Sequence, residues 1–285
     1  MEGIIVAIQY GVYSVRSTDG VIYQTSPRGL FRKHSFKLVV GDRVILDDDN
    51  FIITDVLPRK SFMKRPAIAN IDQVLLIFSL SEPSFSYFLA LKYLTYCNFQ
   101  GIKASLVLTK IDKSNNQEEE RIADDFAKIG IDTYFVNNIS KEGVDIIKKQ
   151  LQGKISCLMG QTGAGKSSLL NSVDSSFNRE VGEYSRALGR GKHQTKEVVL
   201  LPYLDGYLAD TPGFSSLELD MNENDVAANF PGMQEEHVKC YYPNCLHVSE
   251  PKCAVKDKFL QGNIPSIIYE SYLKLLEEIK ENHHG

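Results

Sequence analysis

Three folds in series are expected from this sequence: a small all-β barrel, an α/β domain on a parallel sheet, and a short, mostly helical segment organised around cysteines. Three observations carry the expectation. The first 65 residues read as short strands parted by turn residues, with no helical period. From Ile71 to about residue 220, apolar strands alternate with helices, the pattern of a parallel sheet covered on both faces. In residues 240–253, three cysteines and one histidine fall close together.

The expected barrel occupies residues 1–65. Its strands are residues 4–8, 12–15, 21–23, 44–46 and 51–53, with Asp19-Gly20, Gly41-Asp42 and Asn50 as turn signals. Closure removes exposed edges, so an OB-type barrel fits; an SH3-like barrel or an open sandwich is the alternative. Residues 59–66 are basic and read as a linker. The α/β domain, residues 70–220, starts with the apolar run 74–78, a strand buried on both faces. Helices follow at 85–98, 117–129, 144–151 and 166–173, and strands at 105–108, 133–136, 155–159, 198–201 and 207–208. Residues 221–285 hold the cysteines and then a helix over 267–279, with Ile268, Tyr272, Leu275 and Ile279 on one face.

Composition narrows the function classes. Lys+Arg (32) against Asp+Glu (36) leaves a net charge of −4, so any nucleic-acid contact must use a local patch. The apolar runs are far shorter than the ~20 residues of a membrane span, and Met1-Glu2-Gly3-Ile4 lacks a signal-peptide layout. A cytoplasmic protein without a membrane partner is expected. Five cysteines in a chain this long do not make a disulfide framework; Cys97 and Cys157 read as buried apolar residues.

Gly160-Gln161-Thr162-Gly163-Ala164-Gly165-Lys166-Ser167 fits GxxxxGK[S/T], with an apolar strand before it and a helix after it. Its glycines let backbone N–H groups curl around phosphate oxygens. Lys166 can reach the β- and γ-phosphates, Ser167 can bind Mg²⁺, and the 166–173 helix, which opens Lys166-Ser167-Ser168, points its positive end at the phosphates. A Gly-rich turn without a ligand is the alternative.

Thr109-Lys110-Ile111-Asp112 ends the 105–108 strand and is close to [N/T]KxD. Guanine offers two adjacent N–H donors that one carboxylate, Asp112, can accept together; adenine has no such pair. The Lys110 stem can lie over the base. Ser140-Lys141 suits a second guanine-side loop. Asp210-Thr211-Pro212-Gly213 matches DxxG, in which Asp210 would hold Mg²⁺ through water and the Gly213 N–H would meet the γ-phosphate. Thr195 lies where a switch threonine joining Mg²⁺ belongs. Each of these shorter motifs is weak alone; together they define a guanine-nucleotide site. Their order is unusual, because the base-reading motif precedes the phosphate loop. A sheet whose termini were joined and reopened elsewhere keeps its core contacts.

Cys240-x4-Cys245-x-His247-x5-Cys253 offers three thiols and an imidazole, a closed Cys₃His set suited to structural Zn²⁺. Two disulfides or free thiols are the alternatives.

With these motifs in place the chain resembles one family over essentially its full length: the circularly permuted, ribosome small-subunit-dependent GTPases (the RsgA family, also called YjeQ or YloQ). The resemblance rests on VGDRV at 40–44, then TKID, GQTGAGKSSLLN, GRGKHQTK, DTPGF and CYYPNCLHVSEPKC in that order. It implies an N-terminal OB-fold, a circularly permuted Ras-like P-loop GTPase domain and a zinc-binding C-terminal domain. It also implies GTP/GDP, Mg²⁺ and one Zn²⁺ as ligands, and a bacterial cytoplasmic monomer. That monomer would act late in maturation of the small ribosomal subunit, bind its rRNA, and be released on subunit-stimulated hydrolysis. One departure is Gln194, where the family often has the first of two threonines; the switch role goes to Thr195.

Phe214 stands where Ras-like enzymes usually place the Gln that orients the attacking water, and its side chain can neither donate nor accept a hydrogen bond. His193 is the candidate for that task; contact with RNA phosphate, beside Arg186, Arg190 and Lys192, is its alternative. The barrel cluster Arg28/Arg32/Lys33/His34, with Phe31 and Phe36, and the cluster Arg59/Lys60/Lys64/Arg65 are candidate rRNA patches. Residues 213–220 lead straight to the cysteine segment and are expected to couple it to nucleotide state.

Overall fold

The computed structural model describes residues 1–27, 37–47, 49–175, 198–210, 217 and 219–284. The chain divides into two compact units. One comprises Met1–Gln73, Lys148–Leu158 and Val173–Gly213, and the other Val74–Ile147, Met159–Ser172 and Phe214–Gly285. The DTPG residues 211–213, His193, Gln194, Thr195, Phe214, the 28–36 patch and most of the expected coupling segment lie outside the described residues.

In the first unit, β1 (Glu2–Gln9) pairs antiparallel with β2 (Val12–Ser17), and β2 with β3 (Ile22–Thr25). Along its other edge, the amino half of β1 pairs with β4 (Arg43–Leu46), itself paired with β5 (Ile53–Val56). Pro27, just past β3, bridges in parallel to Ile53 and closes the five strands into an OB-type barrel. Its core is Ile5, Val15, Leu38, Val44, Leu46 and Ile53. A bulge between Ile5 and Ala7 bends β1. Its carboxyl half stays paired with β2 and on its other edge pairs with β12 (Val199–Tyr203) at Ala7–Val199. The run Ile4–Ala7 is buried at every position, as this double duty demands.

Residues 59–66, expected as a linker, instead supply one strand of a short ladder. Phe62–Met63 (β6) and Ile68–Ala69 (β7) form an antiparallel ladder, and Met63 and Ile68 are fully buried. The charges around them mask a short apolar pair. Arg59 is not a free cation either. Its Nε and Nη2 donate to the two carboxylate oxygens of fully buried Asp42 at 2.7 and 2.9 Å, and its guanidinium covers Phe62.

In the second unit, β8 (Gln73–Ser79), β9 (Ala104–Thr109) and β10 (Thr133–Val136) run parallel. Every residue of β8 and β9 is buried, which is why these strands read as continuous apolar runs. Helix α1 (Tyr87–Phe99), capped by the Ser86 hydroxyl, and α2 (Asn116–Lys128), capped by Asn115, follow β8 and β9. Helix α3 (Val144–Leu151), strand β11 (Ile155–Gly160) and helix α4 (Lys166–Val173) each contribute residues to both units. In the first unit, Ile155–Cys157 of β11 pair in parallel with β13 (Gly206–Asp210), which is also the antiparallel partner of β12.

The C-terminal segment of the second unit is helical apart from the Cys/His loop: α5 (Glu223–Asn229), α6 (Gln234–His237), α7 (Ala254–Leu260) and α8 (Ser266–His284). Helix α8 runs longer than the 267–279 stretch its apolar face marks. It packs on α1 through the Lys92–Glu278 ion pair and Lys274 over the Phe88 ring. Phe230 and Tyr272, both fully buried, meet edge to face between α5 and α8.

Candidate nucleotide site and metal centre

The phosphate loop is built by backbone geometry. Gly160 ends β11 at φ +134°, and a Cβ there would lie 2.1 Å from the Ile77 carbonyl of β8. Only glycine lets the loop leave the sheet so close to its neighbour. The loop then turns through exposed Thr162 and Gly163, buried Ala164 and Gly165 into α4, whose first residues are Lys166, Ser167 and Ser168. The Lys166 ammonium folds back onto the carbonyls of Gly160 and Gln161, each at 2.9 Å, and burial holds its pKa below the usual lysine value. The Gln161 Oε1 is buried with no hydrogen-bond partner among the described residues.

The TKID motif comes to this loop. The Thr109 hydroxyl, at the carboxyl end of β9, donates to the Ala164 carbonyl at 2.6 Å. Thr109 thus staples the base-reading strand to the phosphate loop, three residues before Asp112 and two before Lys166 in their respective segments. Asp112 sits in an exposed 3₁₀ turn, Ile111–Lys113. Lys110 adopts φ +61° and donates from Nζ to the Glu82 carbonyl. Phe85, packed edge-on against Phe78 and Phe126, anchors the 80–86 loop that carries Glu82.

Ser140 and Lys141 are exposed. In their loop, Asn138 lies beside the phosphate loop. Its amide nitrogen would stand 3.3 Å from a Cβ on Gly165, and its carbonyl accepts from Ser172 of α4 at 3.0 Å. Its Oδ1 is buried without a partner among the described residues. Asn137 shapes the turn by accepting from the N–H groups of Ile139 and Ser140. The sequence reading passed over both asparagines; their place directly after β10, at the carboxyl edge of a parallel sheet, was the available signal. Two orphaned buried amide oxygens beside a glycine loop and a helix N-terminus fit a nucleotide carrying both donors and phosphates. Asp210 ends β13, one residue beyond the Ala209–Cys157 pair.

The metal ligands also converge. The donor atoms of Cys240, Cys245, His247 and Cys253 all lie within 4.8 Å of one another. His247 Nδ1 is 3.3 Å from Cys253 Sγ and 3.6 Å from Cys240 Sγ, and the cysteines form no disulfide. The loop is held by backbone capture. The Glu250 carboxylate accepts from the N–H groups of Leu246, Val248 and Ser249, and the hydroxyls of Tyr269 and Tyr272 on α8 donate to the carbonyls of His247 and Leu246. His247 itself takes φ +58°. Burial pushes the Cys245 thiol up to about 12 and the His247 imidazole down to about 4. Crowded, buried thiols and a neutral imidazole become a favourable set when a cation sits among them, so the residues fit Zn²⁺. Cys97 and Cys157 are buried apart from this set.

A P-loop stapled to a guanine-type motif that precedes it in the chain defines a circularly permuted P-loop GTPase. The sequence matches the RsgA N-terminal domain over residues 2–51 and the RsgA GTPase over residues 56–220. It is 39% identical to the small ribosomal subunit biogenesis GTPase RsgA of Halalkalibacterium halodurans, covering 99% of this chain and 98% of that one. It is 37% identical to the protein of the same name from Clostridium perfringens, covering 98% of each. Among solved structures it is similar to YloQ, a circularly permuted GTPase, with a TM-score of 0.80, 32% identity, and 99% and 95% of the two chains covered. For YjeQ from Thermotoga maritima the values are 0.82 and 28%, with 98% of each chain covered. The chain belongs to the RsgA GTPase family.

Proposed function

We propose that this protein hydrolyses GTP during late maturation of the small ribosomal subunit, binds the subunit in the GTP state, and leaves on subunit-stimulated hydrolysis. The observation that carries the reading is the Thr109–Ala164 hydrogen bond, which ties the guanine-reading turn to the phosphate loop. Names of relatives matched over nearly the whole chain supply the partner.

In this reading the Asp112 carboxylate accepts the two guanine N–H donors and the Lys110 stem covers the base. Asn138 and the Ser140-Lys141 turn close its far side. Lys166 exchanges the Gly160 and Gln161 carbonyls for phosphate oxygens. That exchange costs little, because the ammonium is already partly desolvated. Backbone N–H groups of Gly163 to Ser168 receive the phosphates. Ser167 and Thr195 would hold Mg²⁺ directly and Asp210 through water, and its positive charge would be available to the phosphates there. Gly213 meets the γ-phosphate and His193 orients the attacking water, a task Phe214 cannot perform. Zn²⁺ on Cys240, Cys245, His247 and Cys253 is structural. The chain works as a cytoplasmic monomer in three parts, 1–65, 70–220 and 221–285. Basic patches, Lys60, Lys64 and Arg65 among them, meet rRNA; Arg59 is excluded because Asp42 takes it. Among the described residues no helix is long and apolar enough to cross a membrane.

The test is GTP turnover by the purified protein alone, with small subunits, and with large subunits. Slow turnover rising only with small subunits, towards the ~10³–10⁵-fold of partner-stimulated GTPases, is expected. Lys166→Ala should abolish it, and His193→Ala should remove the stimulation. Equal turnover in all three mixtures would refute the subunit as partner, and displacement of GTP by equimolar ATP would refute Asp112 as base reader.

A further inference from the structure

We infer that His237 is the positioning residue of the metal centre: its Nδ1 accepts a hydrogen bond from the Nε2–H of His247 and so commits His247 to bind zinc through Nδ1. The inference concerns a group outside the four ligands. It rests on the zinc reading of the site.

The geometry is direct. His237 Nδ1 lies 3.0 Å from His247 Nε2, with the two rings nearly perpendicular at 88°. That is an in-plane hydrogen bond from one ring nitrogen to another, not a stack. The opposite nitrogen of His247, Nδ1, faces the sulfurs of Cys253 and Cys240. A neutral imidazole carries one N–H and one lone pair. If the lone pair on Nδ1 serves the metal, the proton must sit on Nε2, and a proton on a fully buried ring needs an acceptor. His237 supplies one at 3.0 Å with a bare Nδ1, keeping its own proton on Nε2, and the Ala227 carbonyl is a second acceptor facing the His247 ring. Metal-bound histidines regularly donate their second N–H to an outer partner that fixes tautomer and ring orientation. Here a neutral imidazole fills the place commonly taken by a carboxylate or carbonyl, so the tautomer is fixed without adding negative charge beside three thiolates.

The scaffold supports this assignment. His237 ends α6, and its backbone N–H is bonded to the Met233 carbonyl at 2.8 Å. It stands three residues before Cys240, whose sulfur is also directed back to the end of α6 through the Glu236 carbonyl. The His247 backbone is held from the other side by the Tyr269 hydroxyl at 2.6 Å. His237 is not itself a ligand, because its Nδ1 is aimed at the His247 ring.

The test uses the full-length, zinc-loaded protein. Zinc affinity is measured by competition with a chromophoric chelator for the parent and for His237→Phe, His237→Ala and His237→Asn. Phe fills the space but accepts nothing, so Phe and Ala should each weaken zinc binding about 10–100-fold. Asn, whose Oδ1 can accept the proton, should remain within a few-fold of the parent. On the parent, nitrogen NMR of ¹⁵N-histidine should show His247 as the Nε2–H tautomer, a readout independent of any variant's folding. Parent-like affinity in His237→Phe, or an Nδ1–H tautomer for His247, overturns the inference. So does a cobalt spectrum of three sulfurs and one nitrogen surviving in His247→Ala, which would make His237 a ligand. Failure of zinc to bind the parent at all would instead refute the underlying metal reading.

Discussion

The phosphate loop and the Cys/His loop are both ligand sites of the second unit, yet they are held in different ways. The phosphate loop is set by main chain: Gly160 lies against the Ile77 carbonyl of β8, and Thr109 bonds Ala164 at the end of β9. Strands buried at every residue fix those positions before any nucleotide arrives. The Cys/His loop has no strand within it. Its carbonyls and N–H groups are captured by Glu250, Tyr269 and Tyr272, and its centre is a Cys₃His set in which burial pushes the Cys245 and Cys253 thiols up. One site is set by buried strands; the other rests on side-chain capture of a loop, to which a bound metal would add. Ligand removal should therefore leave the first intact and dismantle the second.

Metal removal is the sharpest way to break that contrast. Structural zinc carries apparent binding energies of about 10–16 kcal/mol in small zinc peptides. A chelator strong enough to strip it should release residues 240–253 into fast amide exchange. Amides of β8 and β9 should stay protected, and GTP affinity should change less than about tenfold. Loss of protection in β8 and β9 at the same chelator concentration would mean that the two sites fold as one. Gly160→Ala tests the converse. The new Cβ meets a backbone carbonyl that cannot turn aside, and the residue must hold a left-handed φ. Overpacking and strain together should cost about 2–6 kcal/mol and remove nucleotide binding, while zinc content stays at one per chain. Normal GTP binding by the variant would show that the loop is not fixed by its contact with β8.

The sequence carried the nucleotide site more fully than its surroundings, for a physical reason. A phosphate loop needs particular residues at consecutive positions, so Gly160 to Ser167 is legible without the fold. The alternation of strands and helices was equally plain, because β8 and β9 are buried on both faces. The OB-type barrel was expected from its short strands, but with an SH3-like barrel or an open sandwich beside it, because closure depends on the Pro27–Ile53 bridge between distant segments. Arg59 looked like a free cation because its partner, Asp42, is seventeen residues away and wholly buried. Residues 62–69 hid a ladder whose two strands contribute only two residues each, below any periodic signal. Asn138 was missed because a loop asparagine has no pattern. Its place after β10, its unpaired Oδ1 and its amide nitrogen beside Gly165 mark it.

The smallest expected effect probes how the Cys/His loop is held apart from its metal. The Tyr272 ring is fully buried, and its hydroxyl donates to the Leu246 carbonyl, between two ligands in sequence. Tyr272→Phe keeps the ring against Phe230 and removes only the hydrogen bond. A typical intramolecular bond contributes about 0.5–1.5 kcal/mol. Zinc affinity should accordingly fall by about tenfold or less, and the matching deficit in thermal stability should persist when zinc is in large excess, because it then equals RT times the logarithm of the ratio of the two Kd values. The nucleotide site predicts no change in GTP affinity, because none of its described hydrogen bonds involves Tyr272. A variant with parent zinc affinity but lowered stability would place the hydroxyl's role in docking α8. A variant weakened a hundredfold would mean that the loop, too, is largely preformed by main-chain capture, and the contrast between the two sites would narrow to one of degree.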